Sequence, residues 1–275
     1  MSATLSVSLV VYQPDLPVLR ETLASLRTAA ERARKRGLIE GTRLYLIDNG
    51  TPEEGALDAL ARLETAGAPW LDLQILRGHG NVGYGRGHNL AIHSSAATYH
   101  IVLNPDVVVG PDAVIEAIRF LESNVEVGLV APDVHGTSGE RQYLCREYPT
   151  VLVLLLRGFA PAAIRRAFRG YMESHEMRRT IGDATVKGIT IASGCFMFTR
   201  LEVLQEVGGF SPDYFLYFED FDLSLRFGRK APLAFVPAVR IEHHGGGAAR
   251  KGARHTLFFI RSAVTFFRTH GWKLA

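Results

Sequence analysis

The chain has 275 residues and a mass of 30.3 kDa, which fits one large α/β domain with an elaborated C-terminal part. Apolar residues make up 47% and charged residues 21%, which excludes a disordered chain, and a net charge of +3 is too small to point to nucleic acid. No apolar run approaches the roughly 18 to 20 residues that span a bilayer. The run from Val151 to Leu156, for example, is closed by Arg157.

Residues 1–4 carry no basic region ahead of an apolar one, so they do not read as a secretory signal. Cys145 and Cys195 have neither metal-ligand spacing nor the makings of a disulfide framework, which fits a cytoplasmic protein. The charge is unevenly spread. From Arg240 onward seven basic residues (Arg240, Arg250, Lys251, Arg254, Arg261, Arg268 and Lys273) stand against one acid, Glu242. A basic C-terminus suits an anionic partner, either phosphates or a membrane surface.

Residues 5–12 are nearly all apolar and predict a strand buried on both faces. Pro14, Asp15 and Pro17 then open a helical pattern through Leu19, Leu23 and Leu26 that closes near Gly37. Residues 43–48 predict a second strand ending in Asp48-Asn49-Gly50. Thr51-Pro52-Glu53-Glu54 reads as a capping box with proline at the first helical position. A third strand at 71–76 leads into a glycine-rich loop and a helix around 89–97. A fourth at 100–103 is broken by Asn104-Pro105-Asp106, Pro111 starts the next helix, and 127–130 is a fifth strand. Strands alternating with helices predict a doubly wound, mostly parallel sheet over 4–131.

The second half reads differently. Residues 151–179 are apolar and arginine-rich and predict helix. Residues 191–198 predict a strand carrying Ser193-Gly194-Cys195, and 201–207 a short helix ended by Gly208-Gly209. The aromatic stretch 214–218 precedes Glu219-Asp220-Phe221-Asp222, which opens a helix. A late strand at 236–241 runs into His243-His244 and three glycines, and the last helix covers about 252–268. On that helix Arg254, Arg261 and Arg268 share one face while Leu257, Phe258, Val264 and Phe267 can pack inward.

Ligands in doubly wound sheets sit outside the carboxyl ends of the strands, where Asp48-Asn49, the loop 78–89 and Asn104-Pro105-Asp106 all fall. Asp48 can accept hydrogen bonds from a base or ribose. Asp106 offers a hard oxygen ligand to Mg²⁺ or Mn²⁺. Gly78-His79-Gly80-Asn81-Val82-Gly83 matches the dinucleotide pattern of spaced glycines, which makes a nicotinamide oxidoreductase an alternative. That fingerprint belongs after the first strand, however, and here it follows the third. The loop's glycines read instead as letting backbone pass close to a ligand. In Glu219-Asp220-Phe221-Asp222, one acid behind an aromatic wall is a candidate general base, while others suit a helix N-terminus. His243 and His244, being adjacent on a strand, point to opposite faces, so at most one serves a given site.

In order and spacing these segments resemble the family-2 inverting glycosyltransferases of GT-A fold, especially their bacterial rhamnosyltransferase-like members. The carrying residues are 6–12, Leu46-Ile47-Asp48-Asn49-Gly50, Gly80-Asn81-Val82-Gly83-Tyr84-Gly85-Arg86-Gly87-His88-Asn89 and Leu103-Asn104-Pro105-Asp106-Val107. Ser193-Gly194-Cys195, Gly208-Gly209-Phe210, the acidic stretch and His243-His244-Gly245-Gly246 complete them, over roughly residues 5 to 270. The resemblance implies a nucleotide-sugar-binding half at 1–131, an acceptor-binding and catalytic half of the same domain at 132–251, and a basic C-terminal helix at 252–275.

It further implies that Val11, Tyr12 and Asp48 contact the nucleotide base and that Asn81 and Gly83 lie near the donor sugar. Asn104 stands where the family's metal motif has its first acid, so Asp106 alone would hold a divalent metal, Mg²⁺ or Mn²⁺, against the diphosphate. His243 matches the late metal-coordinating histidine better than His244, because the pattern is His, one residue, then two glycines. Asp220 matches the catalytic base, Glu219 would orient the acceptor or support Asp220, and Asp222 is a further candidate. The implied donor is a dTDP- or UDP-linked sugar, with dTDP-L-rhamnose favoured. The implied acceptor is a cell-envelope saccharide, lipid-linked or in lipopolysaccharide. Basic helices at 151–169 and at the C-terminus would touch an anionic membrane from the cytoplasmic side. A nucleotidyltransferase is the alternative within enzymes, but residues 13–15 after the first strand are no phosphate loop.

Overall fold

A computed structural model describes residues 3–245 and 252–275. Gly246, Gly247, Arg250 and Lys251, part of the triple glycine and of the basic count, lie outside the described residues. In chain order the first half comprises β1 (Ala3–Val11), α1 (Leu16–Lys35), β2 (Ile39–Asp48), α2 (Glu54–Thr65), β3 (Leu71–Leu76), α3 (Tyr84–Ser94) and β4 (Tyr99–Leu103). There follow β5 (Val107–Val109), α4 (Ala113–Ser123), β6 (Leu129–His135) and β7 (Arg141–Gln142). The helices α5 (Val151–Phe159), α6 (Ala162–Ala167) and α7 (Arg169–His175) lead to β8 (Val186–Lys187) and β9 (Phe196–Arg200). The chain closes through α8 (Leu201–Glu206), α9 (Glu219–Gly228), β10 (Leu233–His243) and α10 (Gly252–His270).

One sheet takes strands from both halves, in the order β3-β2-β1-β4-β9-β6-β10-β5. β1, β2, β3 and β4 are parallel neighbours. β9 runs against β4, β6 against β9, and β10 along β6. It follows that β6 and β10 run with β1, so the sheet is mostly parallel, as the sequence predicts. Their carboxyl ends open on one edge, where the reversed β9 also begins: Phe196 pairs with Leu103, and His243 pairs with Val107 of β5. Three polar loops after β2, β3 and β4 therefore meet the start of β9 and the end of β10.

The sequence reading departs from the structure at several points. The capping box does not form: α2 starts at Glu54 with no side-chain cap, because the Thr51 N–H already serves Asp48 and the Thr51 hydroxyl is buried without a partner. α3 begins at Tyr84 rather than near Asn89, since the glycines of 83–87 are part of the helix start. Ser193-Gly194-Cys195 precedes β9 instead of lying within it, and Ile191 makes only an isolated bridge to Arg146. β5 had no sequence signal.

Under the sheet edge, polar side chains are sealed into the core. Ser6, Ser8, His88 and His100 are each fully buried. Ser6 Oγ lies 2.7 Å from His100 Nδ1, His100 Nε2 lies 2.8 Å from Ser8 Oγ, and Ser8 Oγ lies 2.6 Å from His88 Nδ1. This chain ties β1, β4 and α3 together, and burial there penalises a charged imidazole. His100 is driven down to about 3 by burial, and His88 falls well below its ordinary value through burial and then through His100.

Both imidazoles are therefore neutral in the fold, and the unfolded chain takes up protons first as pH falls. Their stabilisation is complete above the unfolded value of about 6.5 and is lost as pH falls, by about 2 kcal/mol for His100 between pH 7 and pH 5. Urea titrations should register this loss. His100→Gln, whose amide can bridge both serines without titrating, should remove about that 2 kcal/mol from it. An undiminished loss in that variant would remove His100 as its source.

Candidate active site

At the end of β1 Val11 is buried and its carbonyl accepts the Asn49 N–H at 2.9 Å. The next residue, Tyr12, is 53% exposed, with its ring against Gly50. Asp48 closes the turn after β2: its Oδ1 accepts from the Gly50 and Thr51 N–H groups at 3.0 and 2.8 Å, while Oδ2 lies 3.8 Å from Arg77. Its side chain is nearly sealed, so one oxygen shapes the loop and the other faces a cation. Asn49 reaches across to the glycine loop, donating to the Gly83 carbonyl at 3.0 Å and meeting His79 Nε2 at 3.0 Å. Asn81 Oδ1 accepts from the Gly83 N–H at 3.1 Å. Thus Val11, Tyr12, Asp48, Asn81 and Gly83 are gathered along one rim.

Gly83 stands at φ +90, and a Cβ there would collide with the carbonyl oxygen of Phe215, which accepts the Tyr84 N–H at 3.0 Å. At Gly85 a Cβ would come 2.7 Å from Phe210 Cβ. Gly83 and Gly85 therefore admit neighbouring protein where a side chain would stand. They bring α3 against the aromatic stretch that precedes α9.

That stretch is strained. Tyr217 and Phe218 sit at φ 71 and 65, a left-handed conformation that costs bulky residues about 1–3 kcal/mol each. The strain is held by α10: Ser262 Oγ donates to the Leu216 carbonyl at 2.8 Å, and the Tyr217 hydroxyl lies 2.9 Å from His255 Nδ1. The reversal delivers Glu219 and Asp220 to the first turn of α9. Asp220 Oδ2 accepts from the Gly194 N–H at 3.0 Å, and its Oδ1 accepts from the Phe221 N–H at 3.0 Å. Glu219 is 5% exposed and its Oε2 has no hydrogen-bond partner.

The two carboxyls are therefore unequal. Burial, and then the charge of Asp220, push Glu219 up to about 8. Burial also raises Asp220, but two backbone N–H groups work against it. Of the pair, Glu219 keeps the proton at neutral pH and Asp220 carries the charge, a separation of roles that acid–base sites use. Tyr84 donates to the Gly194 carbonyl at 2.6 Å, and burial together with the charges of Glu219, Asp220 and Asp106 holds its hydroxyl well above the ordinary value. Cys195 is buried and pushed up to about 12, so it is no nucleophile at neutral pH. The Gly194 N–H holds Asp220 and the Cys195 carbonyl holds the Asn104 N–H, so the turns that carry Asp220 and Asp106 meet at the start of β9.

Asp106 is positioned by backbone pairing. The Asn104 N–H donates to the Cys195 carbonyl, and the Asp106 carbonyl accepts the His244 N–H, both at 2.9 Å. Asp106 Oδ1 is buried without a hydrogen-bond partner and lies 3.5 Å from His243 Nε2. Gln142 settles the histidine's orientation: its Nε2 donates to the His243 carbonyl at 3.2 Å, so its Oε1, 3.3 Å from Nδ1, receives the Nδ1 proton. The Nε2 lone pair is then left facing a carboxylate oxygen, a pairing that suits a shared divalent cation. No cluster of three metal-ligating side chains exists among the described residues, so a cation there would complete its shell with phosphate and water.

Two candidates point elsewhere. His244 faces Glu242 and Glu21 at 3.2 and 3.7 Å, away from Asp106 Oδ1. Asp222 bonds Arg226 at 2.8 Å and His270 Nε2 at 2.8 Å, which fastens α9 to α10 outside the space bordered by Asp220. Tyr84, Gly194 and Gln142 emerge from the structure as supports of the site. Tyr84 and Gly194 lay within segments the sequence singled out, whereas Gln142 had no signal.

A parallel sheet with a carboxylate–histidine pair and a carboxyl pair at one edge is the organisation of a glycosyltransferase of GT-A fold. The sequence profile described as "Glycosyl transferase family 2" matches residues 6–208. The chain belongs to glycosyl transferase family 2. It is 26% identical over 287 residues to the N-acetylglucosaminyl-diphospho-decaprenol L-rhamnosyltransferase of Mycobacterium tuberculosis, covering 99% of this chain and 87% of that one. It is 24% identical over 174 residues to rhamnosyltransferase WbbL of Escherichia coli, covering 60% of this chain and 62% of the relative.

Among solved structures it resembles a mannosyltransferase of Pyrobaculum calidifontis in complex with GDP-Man and Mn²⁺, with a TM-score of 0.61 at 15% identity. It also resembles GalNAc-T7 with UDP, GalNAc and Mn²⁺, with a TM-score of 0.64 at 14% identity. The alignments cover 98% and 96% of this chain but only 65% and 48% of those proteins, so the likeness concerns the fold.

Glu219 yields a stability prediction. Its folded value lies above its unfolded one, so its contribution is complete below about 4.5 and is lost as pH rises toward 8. Glu219→Gln should therefore melt higher than the parent at pH 8, with the gap closing at pH 4.5. A parent as stable as the variant across that range would show that Glu219 is not held protonated.

Proposed function

We propose that this glycosyltransferase moves L-rhamnose from dTDP-L-rhamnose to a hydroxyl of a cell-envelope saccharide or lipid-linked acceptor, inverting the anomeric centre. The donor nucleotide is dTDP or, as the second choice, UDP, and the enzyme works in the cytoplasm at the inner face of the cytoplasmic membrane. The donor and acceptor classes draw support from the names of the bacterial relatives. The absence, among the described residues, of a helix long and apolar enough to cross a membrane is consistent with peripheral attachment. The mechanism rests on one observation: an Asp220 carboxyl fixed by the Gly194 and Phe221 N–H groups beside a buried Glu219, at the edge where Asp106 and His243 converge.

In this reading Val11, Tyr12 and Asp48 hold the base, and Asn81 and Gly83 line the path to the donor sugar. Asp106 and His243 would hold Mg²⁺ or Mn²⁺, and the bound cation would stabilise the negative charge of the diphosphate. Asp220 takes the proton from the acceptor hydroxyl as that oxygen bonds to the anomeric carbon and the nucleoside diphosphate departs. The Gly194 and Phe221 N–H groups fix the carboxylate in place, so its basicity is spent on the acceptor. Glu219, holding its proton, can donate a hydrogen bond to a neighbouring acceptor oxygen. Neither Ser193 nor Cys195 is required as a nucleophile, and a single displacement gives inversion.

Asp220→Asn should lower transfer by about 10²- to 10⁴-fold while leaving donor affinity unchanged. Titration calorimetry alongside a transfer assay checks this, and equal losses in both would reassign Asp220 to donor binding. Asp106→Ala should instead reduce the thermal stabilisation by dTDP-L-rhamnose with Mn²⁺, because a ligand bound to the native state raises the midpoint by mass action. An unchanged shift would take Asp106 out of the donor site.

A further inference from the structure

The segment Pro161–Gly170 is exposed at every position, and neither α6 nor α7 contains a buried residue. Six-residue helices are marginal in water without an apolar face to pack. Yet α6 and its C-cap carry apolar groups that stay in solvent: Ile164 is 45% and Phe168 43% exposed. These two are four residues apart and share a face, as do Leu155 and Phe159 of α5, exposed by 51% and 62%. The C-terminal tail adjoins them, since the N–H groups of Val151 and Leu152 donate to the Lys273 and Leu274 carbonyls at 2.9 and 3.0 Å. The tail adds Trp272 and Leu274, exposed by 57% and 71%. Exposed apolar groups grouped on adjoining elements mark an interaction surface rather than ordinary scatter.

The charge bordering this surface has one sign. The acids of α7 and its C-cap, Glu173 and Glu176, are taken up by Arg169, Arg157 and Arg178. Arg165 and Arg166 form no ion pair among the described residues. Arg165 stands beside the apolar face, about 100° around the helix from Ile164 and about 60° from Phe168, whereas Arg166 stands nearly opposite. An arginine stem can lie along apolar surface while the guanidinium meets an anion. A short helix with apolar groups on one side and an arginine beside them suits a segment lying in a membrane interface.

We infer that the face formed by α5, α6 and the C-terminal tail docks on an anionic lipid bilayer. Phe159, Ile164 and Phe168 enter the boundary between headgroups and acyl chains, and Arg165 meets lipid phosphates. The site lies close by. Val151 and Leu154 of α5 join the aromatic cluster with Phe218 and Phe266, and α10 holds the strained turn that delivers Asp220. A lipid-linked acceptor lying in that bilayer would present its saccharide to the carboxyl pair. This last placement rests on the transferase reading above, whereas the docking itself does not.

Co-sedimentation of the full-length protein with vesicles tests the docking, with pure phosphatidylcholine compared against mixtures containing phosphatidylglycerol. The protein should partition onto the anionic vesicles at low salt and be released at high salt. The variant R165Q should bind about fivefold more weakly, because a basic residue near an anionic surface is worth about fivefold in affinity. The variant I164S/F168S should also lose binding while keeping the parent's circular dichroism and its thermal shift with the donor. Failure to sediment with anionic vesicles, or equal partition onto both compositions, would overturn the inference. So would self-association in light scattering that I164S/F168S abolishes, since the face would then be an interface between copies. A protein that binds vesicles but shows no donor shift would instead defeat the donor reading and leave the docking intact.

Discussion

The candidate site hangs on one stretch of backbone, the peptide units of Gly194 and Cys195 just before β9. The Gly194 N–H fixes Asp220, the Gly194 carbonyl receives the Tyr84 hydroxyl, and the Cys195 carbonyl receives the Asn104 N–H. Those three contacts bind α9, α3 and the turn after β4 to a single rigid element. β9 can serve this purpose because it runs against the strands around it, so its beginning falls at the edge where their carboxyl ends open. Space is tight: a Cβ at position 194 would stand 3.2 Å from the Tyr84 hydroxyl and 3.4 Å from Asp220 Cβ. A larger residue would have to push one partner aside.

Around this hub the fold concentrates features that cost stability. Two successive aromatic residues adopt the left-handed conformation, a buried glutamic acid lacks a partner on one oxygen, and a carboxylate oxygen faces an imidazole lone pair. Each is sustained by packing some distance away, chiefly by α10 against the turn at 216–218 and by Gln142 behind His243. Such a concentration of strain and unbalanced charge is what a preorganised binding and transfer site requires. The buried serine–histidine chain beneath α3 plays the opposite part, tying β1, β4 and α3 into a firm base.

Much of this was legible in the sequence. Strands 1, 2 and 4 read clearly because both faces are covered along most of their length, leaving apolar runs bounded by polar loops, while β3 is a half-exposed edge strand. The gathering of residues 48, 81 and 106 at one rim followed from parallel topology alone. Other features were illegible for identifiable reasons. Gly83 and Gly85 read as loop because their close contacts with Phe215 and Phe210 come from segments more than 100 residues away. Asp222 looked equivalent to Asp220, yet two residues on a helix are about 200° apart, and it turns toward Arg226 and His270. The choice of His243 over His244 came from resemblance, and only the Gln142 contact supplies its physical reason. The exposed face of α5 and α6 was half visible as arginines among leucines. What composition did not convey is that α6 buries nothing at all.

The central claim is that one carboxylate deprotonates the acceptor and no enzyme group bonds to the sugar. The anomeric configuration of the transferred sugar tests it most directly, read by NMR from the product of a transfer reaction with dTDP-L-rhamnose. The product should carry the configuration opposite to that of the donor. A product retaining the donor's configuration would contradict it, because retention requires either a covalent intermediate or attack from the leaving group's face, and Asp220 as placed would serve neither.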